Sequence, residues 1–195
     1  MKHLTCAVML LTFFLGCTEE KPRTTPADKP VVKKPDPQHR HTVVRFYLQQ
    51  NEVPKGFVLL RDQSGETPSV KKGPYVEFGG THTGYRMWKG PGIIVDSRWI
   101  FPTPAAAKGF FTKAEAINAE GLTRAKDPGF GDESRLYTGV IKHPTITNLQ
   151  LRSALCYFRK GSMVGKVFLA WEQRDKESVD KTPVLLETVR KHLTR

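Results

Sequence analysis

Leu151–Trp171 reads LRSALCYFRKGSMVGKVFLAW. Two apolar runs, Leu151–Arg159 and Met163–Trp171, flank Lys160-Gly161, the composition of a tight hairpin between antiparallel strands. The second run places Met163, Gly165, Val167, Leu169 and Trp171 on one side, the period of two that marks a pleated strand. Upstream, Ser134–Ile141 reads as another strand, set off by His143-Pro144. Ile93–Phe101 alternates Ile93, Val95, Ser97, Trp99 and Phe101 against Ile94, Asp96, Arg98 and Ile100, which predicts a sheet with one drier face. Phe57–Asp62 is the first strand, entered through Val53-Pro54-Lys55-Gly56, and Tyr85–Trp88 alternates in character. Residues 63–82, rich in Gly and Pro, read as a long loop with a short edge strand at Tyr75–Phe78, and 122–133 as a second loop.

Two helices complete the pattern. Thr103 suits an N-cap and Pro104 the first helical position, where a missing N–H leaves no partner stranded. Ala107, Phe110, Phe111, Ala114 and Ile117 then make one apolar stripe, and Gly121 ends the run. Gly109 inside it is expected to bring the helix close to the sheet. Thr182-Pro183 repeats the cap-plus-proline start for a final helix with Leu185, Leu186, Val189 and Leu193 inward. Strands, helix, strands, helix predicts an α+β domain: a mainly antiparallel sheet of about five to seven strands with two packed helices. Val53–Phe57, Gly131–Ser134 and Phe158–Val164 loosely resemble small exported domains of bacterial lipoproteins and sensor ectodomains. That resemblance implies the Mog1/PsbP-like architecture and no particular mechanism.

The domain is expected over 43–195, and what precedes it is of another kind. Ala7–Leu15 is an apolar run behind Lys2, too short to span a bilayer, which takes about 20 apolar residues, and suited to a secretory signal. Phe14-Leu15-Gly16-Cys17 resembles the lipobox of bacterial lipoproteins, with Phe14 where the family prefers Leu and Leu15 where it prefers a small residue. The resemblance implies that residues 1–16 are a signal peptide and that Cys17 carries diacylglycerol and a further acyl chain such as palmitate. Two chains anchor stably where one does not. Thr18, rather than Asp, after the Cys implies the outer membrane, facing the periplasm, in a Gram-negative cell. Residues 18–42 hold five prolines among many charges and almost nothing to bury, the composition of a disordered tether. A chain of that length reaches roughly 25–30 Å as a coil.

Catalytic signatures are sparse. Cys156, the lone cysteine outside residues 1–17, sits in an apolar strand and reads as a small buried hydrophobe. His39, His41, His82, His143 and His192 lie at no zinc spacing, and there is no nucleophile elbow, phosphate loop or dinucleotide fingerprint. Gly79–Gly84 (GGTHTG) reads as a chain-turning loop or a ligand loop, and Asp127, Asp132 and Glu133 as a solvated turn or a hard-cation loop without EF-hand spacing. No catalytic residue, metal or cofactor is assigned.

Charge is the best functional lead. The 195 residues carry a formal net charge of +12. Residues 43–134 hold 12 Lys+Arg against 10 Asp+Glu, and residues 135–195 hold 12 against 5, so the excess lies in the C-terminal hairpin and helix. On an envelope protein such a surface suits an anionic polymer, anionic headgroups or an acidic protein partner; the export signal argues against nucleic acid. Arg86, Trp88, Arg98 and Trp99 offer guanidinium–ring pairs on one sheet face, or two tryptophans in the core. The expectation is a lipid-anchored, non-catalytic binding or structural accessory. The alternative is an envelope hydrolase whose site is assembled from distant strands.

Overall fold

The computed structural model describes residues 44–64, 73–118, 121–142, 146, 149–172 and 179–194. The lipobox with Cys17, the tether, and His143-Pro144 lie outside the described residues. In chain order the elements are β1 (Val58–Asp62), α1 (Pro74–Glu77), β2 (His82–Lys89), β3 (Ile93–Ile100), α2 (Pro104–Asn118), β4 (Thr123–Arg124), β5 (Glu133–Lys142), β6 (Gln150–Lys160), β7 (Met163–Glu172) and α3 (Thr182–Leu193). The strands form one seven-stranded sheet in the order β1-β2-β3-β7-β6-β5-β4. Every neighbour pair is antiparallel. The expected α+β class, strand count and two long helices are what the chain adopts.

The β6–β7 hairpin lies at the centre of the sheet, its ladder running from Lys160↔Met163 to Leu151↔Glu172. Because directly opposed residues share a face, the register separates two surfaces. On the first, Trp88, Ile94, Ala154, Cys156, Phe158, Val167, Leu169 and Trp171 pack under Leu185 and Val189 of α3 and under Leu48, Val53 and Phe57. On the second, Phe101, Tyr157 and Val164 pack under Ala107, Phe110, Phe111 and Ala114 of α2 and Tyr75 of α1. The sheet is therefore a middle layer with a helix on each side.

Local chemistry accounts for the helix starts. The Thr103 hydroxyl accepts from Ala106 N–H at 3.1 Å, the expected cap. At α3 the cap falls earlier than expected: Thr182 is the first helical residue and its N–H donates to Asp180 Oδ1 at 2.9 Å. Tyr75–Phe78 is not an edge strand. Pro74 opens a single helical turn there, which turns the Tyr75 ring into the second core. The loop expected over 122–133 contains β4, a two-residue strand on β5. Gly109 serves helix–helix contact rather than helix–sheet contact: a Cβ there would lie 2.4 Å from the Phe78 ring.

Candidate functional site

The first face holds an ionic network set among apolar side chains. Asp96 and Arg98 alternate with Ile94 on β3, and both are fully buried. They form an ion pair with each other. Register places Arg86 of β2 opposite Asp96, and Asp62 of β1 opposite Arg86, so four charges cluster on the same face. Arg86 bridges to Asp62 at 3.1 Å.

What these charges grip is backbone. Residues 44–53 cross the face with few strand or helix bonds of their own, and buried amides and carbonyls need partners. Asp96 Oδ2 accepts from Leu48 N–H at 2.6 Å. Arg86 Nη1 donates to Leu48 O at 2.9 Å, and Arg98 Nε donates to Phe46 O at 2.8 Å. The Tyr47 hydroxyl meets His82 Nε2 at 2.9 Å, and Glu52 pairs with His192 of α3 at 3.1 Å. Gly165 makes the space: a Cβ there would meet Phe158 at 2.4 Å and Arg98 Nη1 at 2.9 Å. The Arg98 guanidinium lies 5.0 Å from the Phe158 ring centroid and that of Arg86 lies 5.8 Å from Tyr47. Residues 44–53 thus form a strap held by ionic and polar side chains from β2, β3 and α3.

Burial sets the protonation chemistry. It pushes the Asp96 carboxyl up to about 6 despite the attraction of Arg98 and the Leu48 amide. Burial also raises Asp62, but hydrogen bonds from Ser64 together with Arg86 hold it below its ordinary value. The Tyr47 hydroxyl is raised by burial and by Asp96. Burial drives the Cys156 thiol up to about 12, which withholds the thiolate a nucleophile needs. On the opposite face the half-buried Lys166 stands 5.8 Å from the Trp99 ring centroid, and loss of hydration lowers it to about 8.

The remaining residues singled out for charge or chemistry take structural places. Asp132 and Glu133 both bind Arg159, at 2.7 and 3.0 Å, and Asp127 binds Arg124 and Arg135 at 3.0 and 3.5 Å. Among the described residues no group of His, Cys, Asp and Glu is arranged to hold a metal. In Gly79–Gly84, Gly79 and Thr81 are exposed, the half-buried Gly80 lies against the Tyr75 ring, and His82, which opens β2, is buried against Tyr47. Arg86, Trp88 and Arg98 share the first face, whereas Trp99 faces the other way; the rings beside the two arginines are Tyr47 and Phe158. Part of the basic C-terminal third is engaged with acids: Arg159 as above, and Arg190 and Lys191 with Glu187 at 2.6 and 3.8 Å, while Lys160 and Lys181 donate to the carbonyls of Leu193 and Pro91. A shallow cleft of about 330 Å³ beside α3 is bordered by Glu52 and Glu187, and a second, of about 230 Å³, by Arg152 and Asp180. The carboxylates of the first are both taken, Glu52 by His192 and Glu187 by Arg190.

The opposite face is more open at the β1–β3 corner. Register aligns Val58, Lys89, Ile93 and Ala170 in one row, and Arg61, Met87, Val95 and Phe168 in the next. Val58 is 65% exposed and Ile93 36%, with Leu60 of the edge strand at 59%. Sequence reasoning singles out Arg86 and Arg98 as ring partners on one face but misses Asp62, Asp96 and the strap they hold, and it misses the corner patch, which is assembled from three strands.

No protein-family model matches the chain, and no curated protein does either. Among solved structures, the extracellular domain of PknH from Mycobacterium tuberculosis is similar, with a TM-score of 0.53 and 11% identity over 83% of this chain and 100% of that one. At that identity the likeness is one of fold. Among the described residues no helix is long and apolar enough to cross a membrane.

Proposed function

We propose that the chain is a bacterial lipoprotein whose Cys17 carries the lipid and whose domain is a non-catalytic binding or structural accessory in the cell envelope. The observation that carries the reading is the position of Cys17, directly at the end of the Ala7–Leu15 apolar run behind Gly16 and ahead of the Pro- and charge-rich 18–42. The fold shared with an extracellular domain supports an exported body. The engaged carboxylates beside α3 and the inert Cys156 thiol suit a domain that binds rather than reacts. Thr18 favours the outer membrane, facing the periplasm, in a Gram-negative host.

Detergent phase partition of the chain expressed in a bacterial host tests the anchor. The wild type is expected in the detergent phase at a mass lowered by loss of residues 1–16, and Cys17→Ser is expected as an unprocessed precursor. A wild type and a Cys17→Ser variant that are processed alike and both partition into water would refute it.

A further inference from the structure

The two rows at the β1–β3 corner combine features that are separate elsewhere on the molecule. Their aliphatic members Val58 and Ile93 are exposed, and Met87, Val95 and Phe168 are half-buried beside them. Their charged members are Lys89 and Arg61, both exposed and both without a carboxylate partner among the described residues. Arg61 instead stands 5.7 Å from the Tyr85 ring centroid. The next row across, Tyr85, Ser97, Lys166 and Tyr157, adds a third cation. The three rows hold no carboxylate over β1, β2, β3 and β7; Glu172, two residues beyond Ala170, is the first acid that register brings to this side.

Exposed apolar patches rimmed by charge mark interaction sites, and the chemistry here selects among occupants. A soluble glycan would engage the cations and leave Val58 and Ile93 in water. An added β-strand would need the open edge of β1, but the register of that strand breaks between Leu59 and Arg61, a bulge of the kind that disrupts edge pairing. A bilayer surface with anionic headgroups satisfies both parts: aliphatic side chains enter the boundary of the acyl region, and Lys and Arg reach phosphates from the same level. We infer that the β1–β3 corner, through Val58, Ile93, Arg61 and Lys89, is a membrane-apposed face that binds anionic phospholipid headgroups. This deepens the envelope reading above by naming the surface that the domain turns toward lipid.

Vesicle flotation of residues 18–195, produced without the apolar signal and without Cys17, tests this with neither an acyl anchor nor Ala7–Leu15 present, so that its outcome is independent of lipidation. Phosphatidylglycerol-containing vesicles should bind the chain, and binding should weaken as salt is raised. Arg61→Glu/Lys89→Glu in the same background should lose at least tenfold in affinity with an unchanged thermal midpoint, and Ile93→Ser should lose affinity at constant charge. Lys108→Glu/Lys126→Glu, an equal change in net charge at exposed positions elsewhere, should retain binding. The inference is overturned if the two double variants bind alike, since net charge alone would then explain attachment. It is also overturned if Ile93→Ser abolishes a concentration-dependent dimer in lipid-free solution and leaves flotation intact, which would make the patch an interface between copies.

Discussion

Arg86 and Arg98 on one side of the sheet, and Arg61 and Lys89 on the other, are cations on the same or adjacent strands with opposite roles. The inner pair is buried, opposed by Asp62 and Asp96, and bonded to the carbonyls of Leu48 and Phe46. The outer pair is exposed, opposed by no carboxylate among the described residues, and bordered by Val58 and Ile93. A buried charge resists removal because its partner is then stranded in a low-dielectric interior. An exposed one contributes little to stability and is available to a partner. Net charge along the chain conveys none of this; the face of the sheet does.

The sharpest way to break the contrast is Arg98→Met. It should cost about 3–5 kcal/mol in denaturant unfolding, because Asp96 is left buried without its counter-ion and Phe46 O loses its donor. Asp96→Leu/Arg98→Met should recover part of that loss; no recovery would show that the strap bonds, not the ion pair, dominate. Next in size, Gly165→Ala should destabilise by about 1–3 kcal/mol through overpacking against Phe158 and Arg98, read in the same assay.

A smaller effect carries a sign. Asp96 holds its proton more tightly when folded, near 6, than its ordinary 3.8. Its contribution to stability is therefore full below about pH 4 and is lost as pH rises through about 6. The stability of the wild type relative to Asp96→Asn should fall across that window. Asp62 runs the other way: its folded value is lowered, so its contribution is present above its ordinary 3.8 and is lost as pH falls below it. Parallel pH profiles for Asp96→Asn and Asp62→Asn would remove the distinction between the fully buried and the half-exposed carboxylate. The smallest expected change is at the outer pair: Arg61→Gln and Lys89→Gln should each stay within about 0.5 kcal/mol of the wild type. A loss comparable with that of Arg98→Met would mean that the corner is structural.

Much of the fold is legible in the sequence because its signals are local. Lys160-Gly161 between two alternating runs fixes the central hairpin, and Thr103-Pro104 and Thr182-Pro183 announce both long helices. Tyr75–Phe78 misleads because its aromatic and aliphatic residues suit a strand or a turn of helix, and Pro74 decides only through its fixed φ. The strap is illegible for a different reason. Residues 44–53 are neither periodic nor strongly apolar, and their partners His82, Arg86, Asp96, Arg98 and His192 all stand far away in sequence, the nearest contact spanning 35 residues. The basic excess points to the C-terminal third, where Asp132, Glu133 and Glu187 occupy Arg159, Arg190 and Lys191. The outer patch emerges only when register lays β1, β2 and β3 side by side.

The envelope reading as a whole turns on the sulfur of Cys17. The most direct measurement is the mass of the N-terminal peptide of the chain purified from bacterial membranes. The account predicts a peptide that starts at Cys17 and carries a thioether-linked diacylglycerol. A peptide in which Cys17 is an unmodified thiol, internal to the chain or absent after cleavage elsewhere, would contradict it.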